Sequence, residues 1–144
     1  MPQTPPELTV IQKTQELLVW TLNHIANFPR SHRYGLGQRL EHRLSGILDR
    51  LIEAKFTRDR LPLLNRCNLE LEQLRFEFRT AKDVRCLSIE SYGSSGRFVN
   101  EIGQNLGQWI KSIGKGSDEA TRRSVARTGE LPQPVASGEK RIPR

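Results

Sequence analysis

The segment Phe28-Pro-Arg-Ser-His-Arg-Tyr-Gly-Leu-Gly-Gln-Arg-Leu-Glu41 gathers three arginines, a histidine and two aromatic residues around the start of a helix. Arginine and histidine at this density suit phosphate oxygens, and a tyrosine beside them can stack on an unpaired base. On that reading Arg30, His32 and Arg33 contact phosphates and Tyr34 takes the base. On the competing reading Phe28 and Tyr34 pack into the end of a bundle, Pro29 fixes the turn, and the basic residues are solvated. The packing reading is preferred for the aromatics and the contact reading for the arginines.

Other chemistry finds little support. His24, His32 and His42 lack the i, i+4 spacing of a helical metal site. Asp49 and Glu53 share a face that reads as solvated surface rather than a converging acid pair. Gly35-Leu-Gly37 follows no strand, so it is not a phosphate loop. Cys67 and Cys86 form neither a metal-ligand pattern nor a disulfide framework, and a reduced cytoplasm is the expected compartment. No enzyme, cofactor or metal site is expected. The N-terminus lacks a basic-then-apolar leader, and no apolar run approaches ~18 residues, so no membrane span is expected.

The chain has 144 residues, a formal net charge of +7 and a pI near 10.0. That length fits one domain with its own core, and the charge suits a polyanionic partner. Helical periodicity runs through it. A first helix is expected from a Thr4-Pro-Pro-Glu7 capping box, with Ile11, Leu18, Leu22 and Ile25 on its core face, ending at Phe28-Pro29. A second starts between Ser31 and Leu36 and buries Leu36, Leu40, Leu44, Ile47 and Leu51. A third, capped by Thr57 or Asp59, carries the heptad-like seam Leu64, Cys67, Leu71, Leu74, Phe78 and Ala81. A fourth, capped by Ser88, carries Tyr92, Ser95, Val99, Ile102, Leu106, Trp109 and Ile113. Its glycines cost roughly 1 kcal/mol each where exposed, or let another helix approach closely.

These elements predict an all-α, antiparallel, up-and-down four-helix bundle over residues 1–113. Residues 114–144 are expected to form a flexible, disordered basic tail, with a short helix through Asp118–Arg127 left open.

Placed at ~100° per residue, the charges are largely sorted. Arg39, Arg43 and Arg50 form one stripe on the second helix. Arg75, Arg79 and Lys82 flank one edge of the third helix, and Glu70 and Glu77 the other. Such rows can neutralise successive phosphates, and reversing Arg39 and Arg43 should then weaken RNA binding with the bundle intact. Equally, they can be solvated flanks with surface ion pairs, and Glu72 is placed to pair with Arg75. Several apolar residues lie off the core seams: Leu69 and Phe76 on the third helix, and Val10, Leu17 and Phe28 on the first, with Trp20 and His24 beside them. Val10, Leu17, Trp20, Leu69 and Phe76 are candidates for an oligomer or partner interface.

Phe28-Pro-Arg-Ser-His-Arg, Leu36-Gly-Gln-Arg-Leu-Glu41, Arg58-Asp-Arg-Leu-Pro-Leu-Leu64, Asn68-Leu-Glu-Leu-Glu72, Ala81-Lys-Asp83 and Glu101-Ile-Gly103 together resemble the accessory variability determinant (Avd) proteins of diversity-generating retroelements. The resemblance extends from about Leu8 to Lys111. The wider relatives are four-helix-bundle proteins encoded in intervening sequences of bacterial 23S ribosomal RNA genes. The resemblance implies a non-catalytic homopentamer with a basic surface. It also implies binding to a reverse transcriptase and its RNA, possibly DNA, during mutagenic cDNA synthesis and retrohoming. An oligomeric helical protein–protein adaptor of the rRNA intervening-sequence type, with no retroelement role, is the alternative. Gly93-Ser-Ser-Gly96 is richer in glycine than the family suggests, and the tail after Lys115 lies outside the resemblance.

Overall fold

The computed structural model describes the backbone of residues 4–128 and the side chains of residues 4–114. Four helical passes run up and down. They are α1 (Pro6–Ile25), a composite second pass, α4 (Leu61–Asp83) and α5 (Ile89–Thr128). The second pass joins α2 (Arg30–His32), a π-helical turn (Arg33–Gly37) and α3 (Gln38–Lys55). Among the described residues there is no strand. The chain divides into two units, residues 1–110 and 111–144, and the bundle lies in the first. Helical backbone runs to Thr128, beyond Gly114 where the sequence pattern stops. The rest of the tail expected to be disordered, residues 129–144, lies outside the described residues.

The seam on α4 is as expected, with Leu64, Cys67, Leu71, Leu74, Phe78 and Ala81 all buried. Leu40, Leu44, Ile47 and Leu51 on α3 and Val99, Ile102, Leu106 and Trp109 on α5 are buried as well. The expectation for α1 holds at Ile25 and is corrected elsewhere. Its buried face is Val10, Thr14, Leu17, Thr21 and Ile25, with Phe28 beyond the helix end. Ile11 and Leu18 are half-buried and Leu22 is exposed. Two threonines sit inside the true seam, so counting apolar residues alone selects the wrong side. Thr14 donates its hydroxyl to the Val10 carbonyl at 2.7 Å, which lets it be buried.

Helix ends depart from expectation where proline intervenes. Thr4 does not cap α1. Pro5 holds the N-cap position in an extended conformation, and its carbonyl accepts from the amides of Leu8 and Thr9. Neither Thr57 nor Asp59 caps α4, which begins after Arg60 with Pro62 in its first turn. Ser88 does cap α5, accepting from the Ser91 amide at 3.0 Å.

Two joints position the basic segments. In the π-helical turn, a Cβ on Gly37 would lie 2.8 Å from Cγ2 of Ile25, so only glycine lets the end of α1 approach here. A π turn inserts a residue and rotates the face before it, which leaves Leu36 half-buried while Leu40 onward are core. At the end of α4, the Cys86 amide bonds the Ala81 carbonyl and the Arg85 amide bonds that of Lys82. This is a Schellman closure, with Arg85 in the left-handed region at φ 66°.

Candidate nucleic-acid interface

The arginine stripe of the second pass does not face solvent as a free row. Nε of Arg39 donates to Glu77 at 2.8 Å. The Arg43 guanidinium donates to Glu77 at 2.7 Å and to Gln73 at 3.0 Å, and lies 3.5 Å from Glu70. Arg50 is paired with Glu70. The side chains of Glu70 and Glu77 are only 5% and 9% exposed, and that of Arg43 only 17%. The hydrogen bonds from Arg43 to Glu77 raise the guanidinium pKa above its ordinary value against the opposing effect of burial. Carboxylates this buried cannot be left without a cation, so Arg43 and Arg50 are committed to them. Reversing Arg43 would set a third carboxylate on two buried ones, which corrects the expectation that the bundle would be unaffected. Arg39 keeps most of its side chain in water.

The row on the other edge of α4 differs. Arg75 pairs with Glu72 at 3.0 Å, as the three-residue spacing suggests, and also donates to Asn100 of α5 at 2.8 Å. Arg79 reaches Asp83 only at 4.0 Å, with its side chain 61% exposed. Lys82 lies 3.3 Å from Asp83 and 4.9 Å above the Tyr92 ring. Glu72 and Asp83 are both more than half exposed. Exposed carboxylates rehydrate easily, so these pairs are worth under about 1 kcal/mol each and can be exchanged for phosphate.

At the end of the bundle where α1 turns into the second pass, Phe28 is buried and Tyr34 is 67% exposed. The packing reading therefore holds for Phe28 and not for Tyr34. Arg30 is exposed with no partner among the described residues, His32 is half-buried, and Arg33 donates to the Phe28 carbonyl at 3.3 Å. By the up-and-down topology the α4–α5 turn, with exposed Arg85, lies at this same end.

The candidate interface residues separate. Val10 and Leu17 are fully buried and belong to the core, a correction that follows from the threonine-containing seam of α1. Trp20 is half-buried, stacks on His24 with ring centroids 3.9 Å apart, and meets Phe78 and Phe98. Leu69 and Phe76 are exposed, as expected of residues opposite the seam. On α5, a Cβ at Gly96, Gly103 or Gly107 would meet nothing within 4 Å, so no helix of this bundle uses those glycines for close approach.

Sequence reasoning passed over Glu70 and Glu77 as anchors. The signal was present: they are seven residues apart, as are Arg43 and Arg50, which matches antiparallel neighbours. Tyr92 and Asn100 were also missed, because only the packing of α5 brings them to the α4 edge. Among the described residues no group of three His, Cys, Asp or Glu side chains is placed to hold a metal ion. No helix there is long and apolar enough to cross a membrane.

Among the described residues the chain is an up-and-down helical bundle whose arginines sort into rows on the edges of its second pass and of α4. Residues 8–113 match the bAvd-like family model, and the chain belongs to that family, one of accessory, non-catalytic type. Among curated proteins none matches this chain.

Proposed function

We propose that this protein is the accessory subunit of a diversity-generating retroelement. It holds the template RNA, or the DNA copied from it, and docks the reverse transcriptase, supporting mutagenic cDNA synthesis and retrohoming. Beyond family membership, the observation that supports this is the row Arg75, Arg79 and Lys82, whose carboxylate partners among the described residues, Glu72 and Asp83, are exposed. Arg30, Arg33 and Arg39 extend the cationic surface around the same end of the bundle, with the His32 imidazole among them as a further polar contact. Arg43 and Arg50 hold the two middle passes together.

Assembly into a homo-oligomer, a pentamer by family resemblance, would use the apolar surface that the bundle leaves open. Leu69 on α4, the Ile11–Leu18–Leu22 edge of α1 and the open glycine face of α5 are the positions for subunit or reverse-transcriptase contacts.

The test is binding of structured RNA at two salt concentrations, with light scattering to give the mass of the assembly. Arg75→Glu/Arg79→Glu should weaken binding and flatten its salt dependence, with the oligomer intact. Binding that is absent in the wild-type protein near physiological salt would instead favour an adaptor with protein partners only. Co-purification with a diversity-generating reverse transcriptase tests the second partner.

A further inference from the structure

Between α4 and α5 lies a groove of about 190 Å³ lined by Glu72, Arg75, Phe76, Arg79 and Tyr92. Phe76 is 63% exposed and makes no ring contact with another aromatic among the described residues. Tyr92 already carries Lys82 on its ring. Arg75 is held from both sides, by Glu72 on its own helix and Asn100 on α5. Arg79 approaches Asp83 at 4.0 Å and keeps 61% of its side chain exposed.

We propose that this groove takes an unpaired nucleotide of a single strand, its base on Phe76 and its phosphate on Arg79. The inference rests on the nucleic-acid reading above and deepens it. A duplex keeps its base faces stacked inside and offers this surface only phosphates, which have no use for an exposed phenyl ring. A single strand offers both, and aromatic rings beside arginines are what recognise it. The charges give the nucleotide a direction. Glu72 at one end repels phosphate and accepts from a base amino group, while Arg79 and Lys82 at the other attract phosphate. The held guanidinium of Arg75 forms the floor between them.

The experiment compares single-stranded RNA with a duplex of the same sequence, by fluorescence anisotropy on the full chain. Phe76→Ala should weaken single-strand binding about tenfold, leave duplex binding unchanged, and be rescued by Phe76→Trp. Arg79→Glu should weaken both. Equal effects of Phe76→Ala on both ligands, or none on either, would overturn the proposal. So would a change in assembly mass, which would place Phe76 in a subunit contact. If Arg79→Glu weakens binding while Phe76→Ala does not, only the stacking inference fails. If Arg79→Glu affects neither ligand, the nucleic-acid role of this face fails with it.

Discussion

Arg43 on α3 grips Glu77 on α4 with two nitrogens, Nη2 at 2.7 Å from Oε2 and Nε at 3.1 Å from Oε1. The pair, with Arg50 seven residues later on α3 and Glu70 seven residues earlier on the antiparallel α4, ties the middle two passes of the bundle in register. Truncating Arg43 leaves Glu77 with Arg39 alone and Glu70 with Arg50 alone, so Arg43→Ala should lower the free energy of unfolding by about 1.5–3 kcal/mol, the worth of the lost charge-assisted hydrogen bonds. Arg79→Ala, whose partner is exposed, should cost under about 1 kcal/mol. Chemical denaturation of the two variants makes the comparison. Equal small losses would mean that Glu70 and Glu77 are readily hydrated.

Thr21 occupies the α1 seam with its hydroxyl buried and without a hydrogen-bond partner among the described residues, whereas Thr14 has one. Thr21→Val keeps the shape and removes the unsatisfied group, and should stabilise the protein by about 1 kcal/mol. Thr14→Val should give no such gain. Thermal unfolding of both variants distinguishes the two hydroxyls.

Arg85 occupies a left-handed position that glycine adopts without strain. Arg85→Gly should therefore raise stability by about 0.5–1 kcal/mol, read from the denaturation midpoint. A gain in stability accompanied by weaker RNA binding would show that the strain is kept to present a cation at the end of the bundle. Lower stability would show that the side chain packs more than its exposure suggests.

Burial pushes the Cys67 thiol up to about 12, while its Sγ lies 3.8 Å from the Ile47 carbonyl. The unfolded thiol ionises near its ordinary value and the folded one does not. The folded state therefore binds more protons between these values, and stability must fall as pH rises through that window. The expected loss from this group is roughly 3 kcal/mol by pH 11 and nothing below about pH 8. Cys67→Ala should have lower stability at neutral pH but a shallower alkaline decline. An identical decline in both proteins would assign the pH dependence to other groups.

The α4 seam, the α3 face from Leu40 onward and the buried face of α5 were legible because large apolar residues recur at helical spacing. Composition and spacing also located the arginine rows and the exposed positions Leu69 and Phe76. On α1 the same logic chose the wrong side at Ile11, Leu18 and Leu22, and only Ile25 of its four positions is buried. Periodicity read from apolar residues does not count a threonine that satisfies its hydroxyl on its own helix, and Thr14 does this.

What the sequence by itself determined, then, is an all-α bundle of four passes and the helix edges on which its cations sit. Which of those cations remain available was decided only by tertiary structure. Helix periodicity gives each side chain an angle on its own helix, but not the register or identity of the helix packed against it. The α3–α4 register puts Arg43 and Arg50 on buried glutamates, where desolvation holds them. The packing of α5 against the other edge leaves Arg75, Arg79 and Lys82 beside carboxylates that water can reclaim.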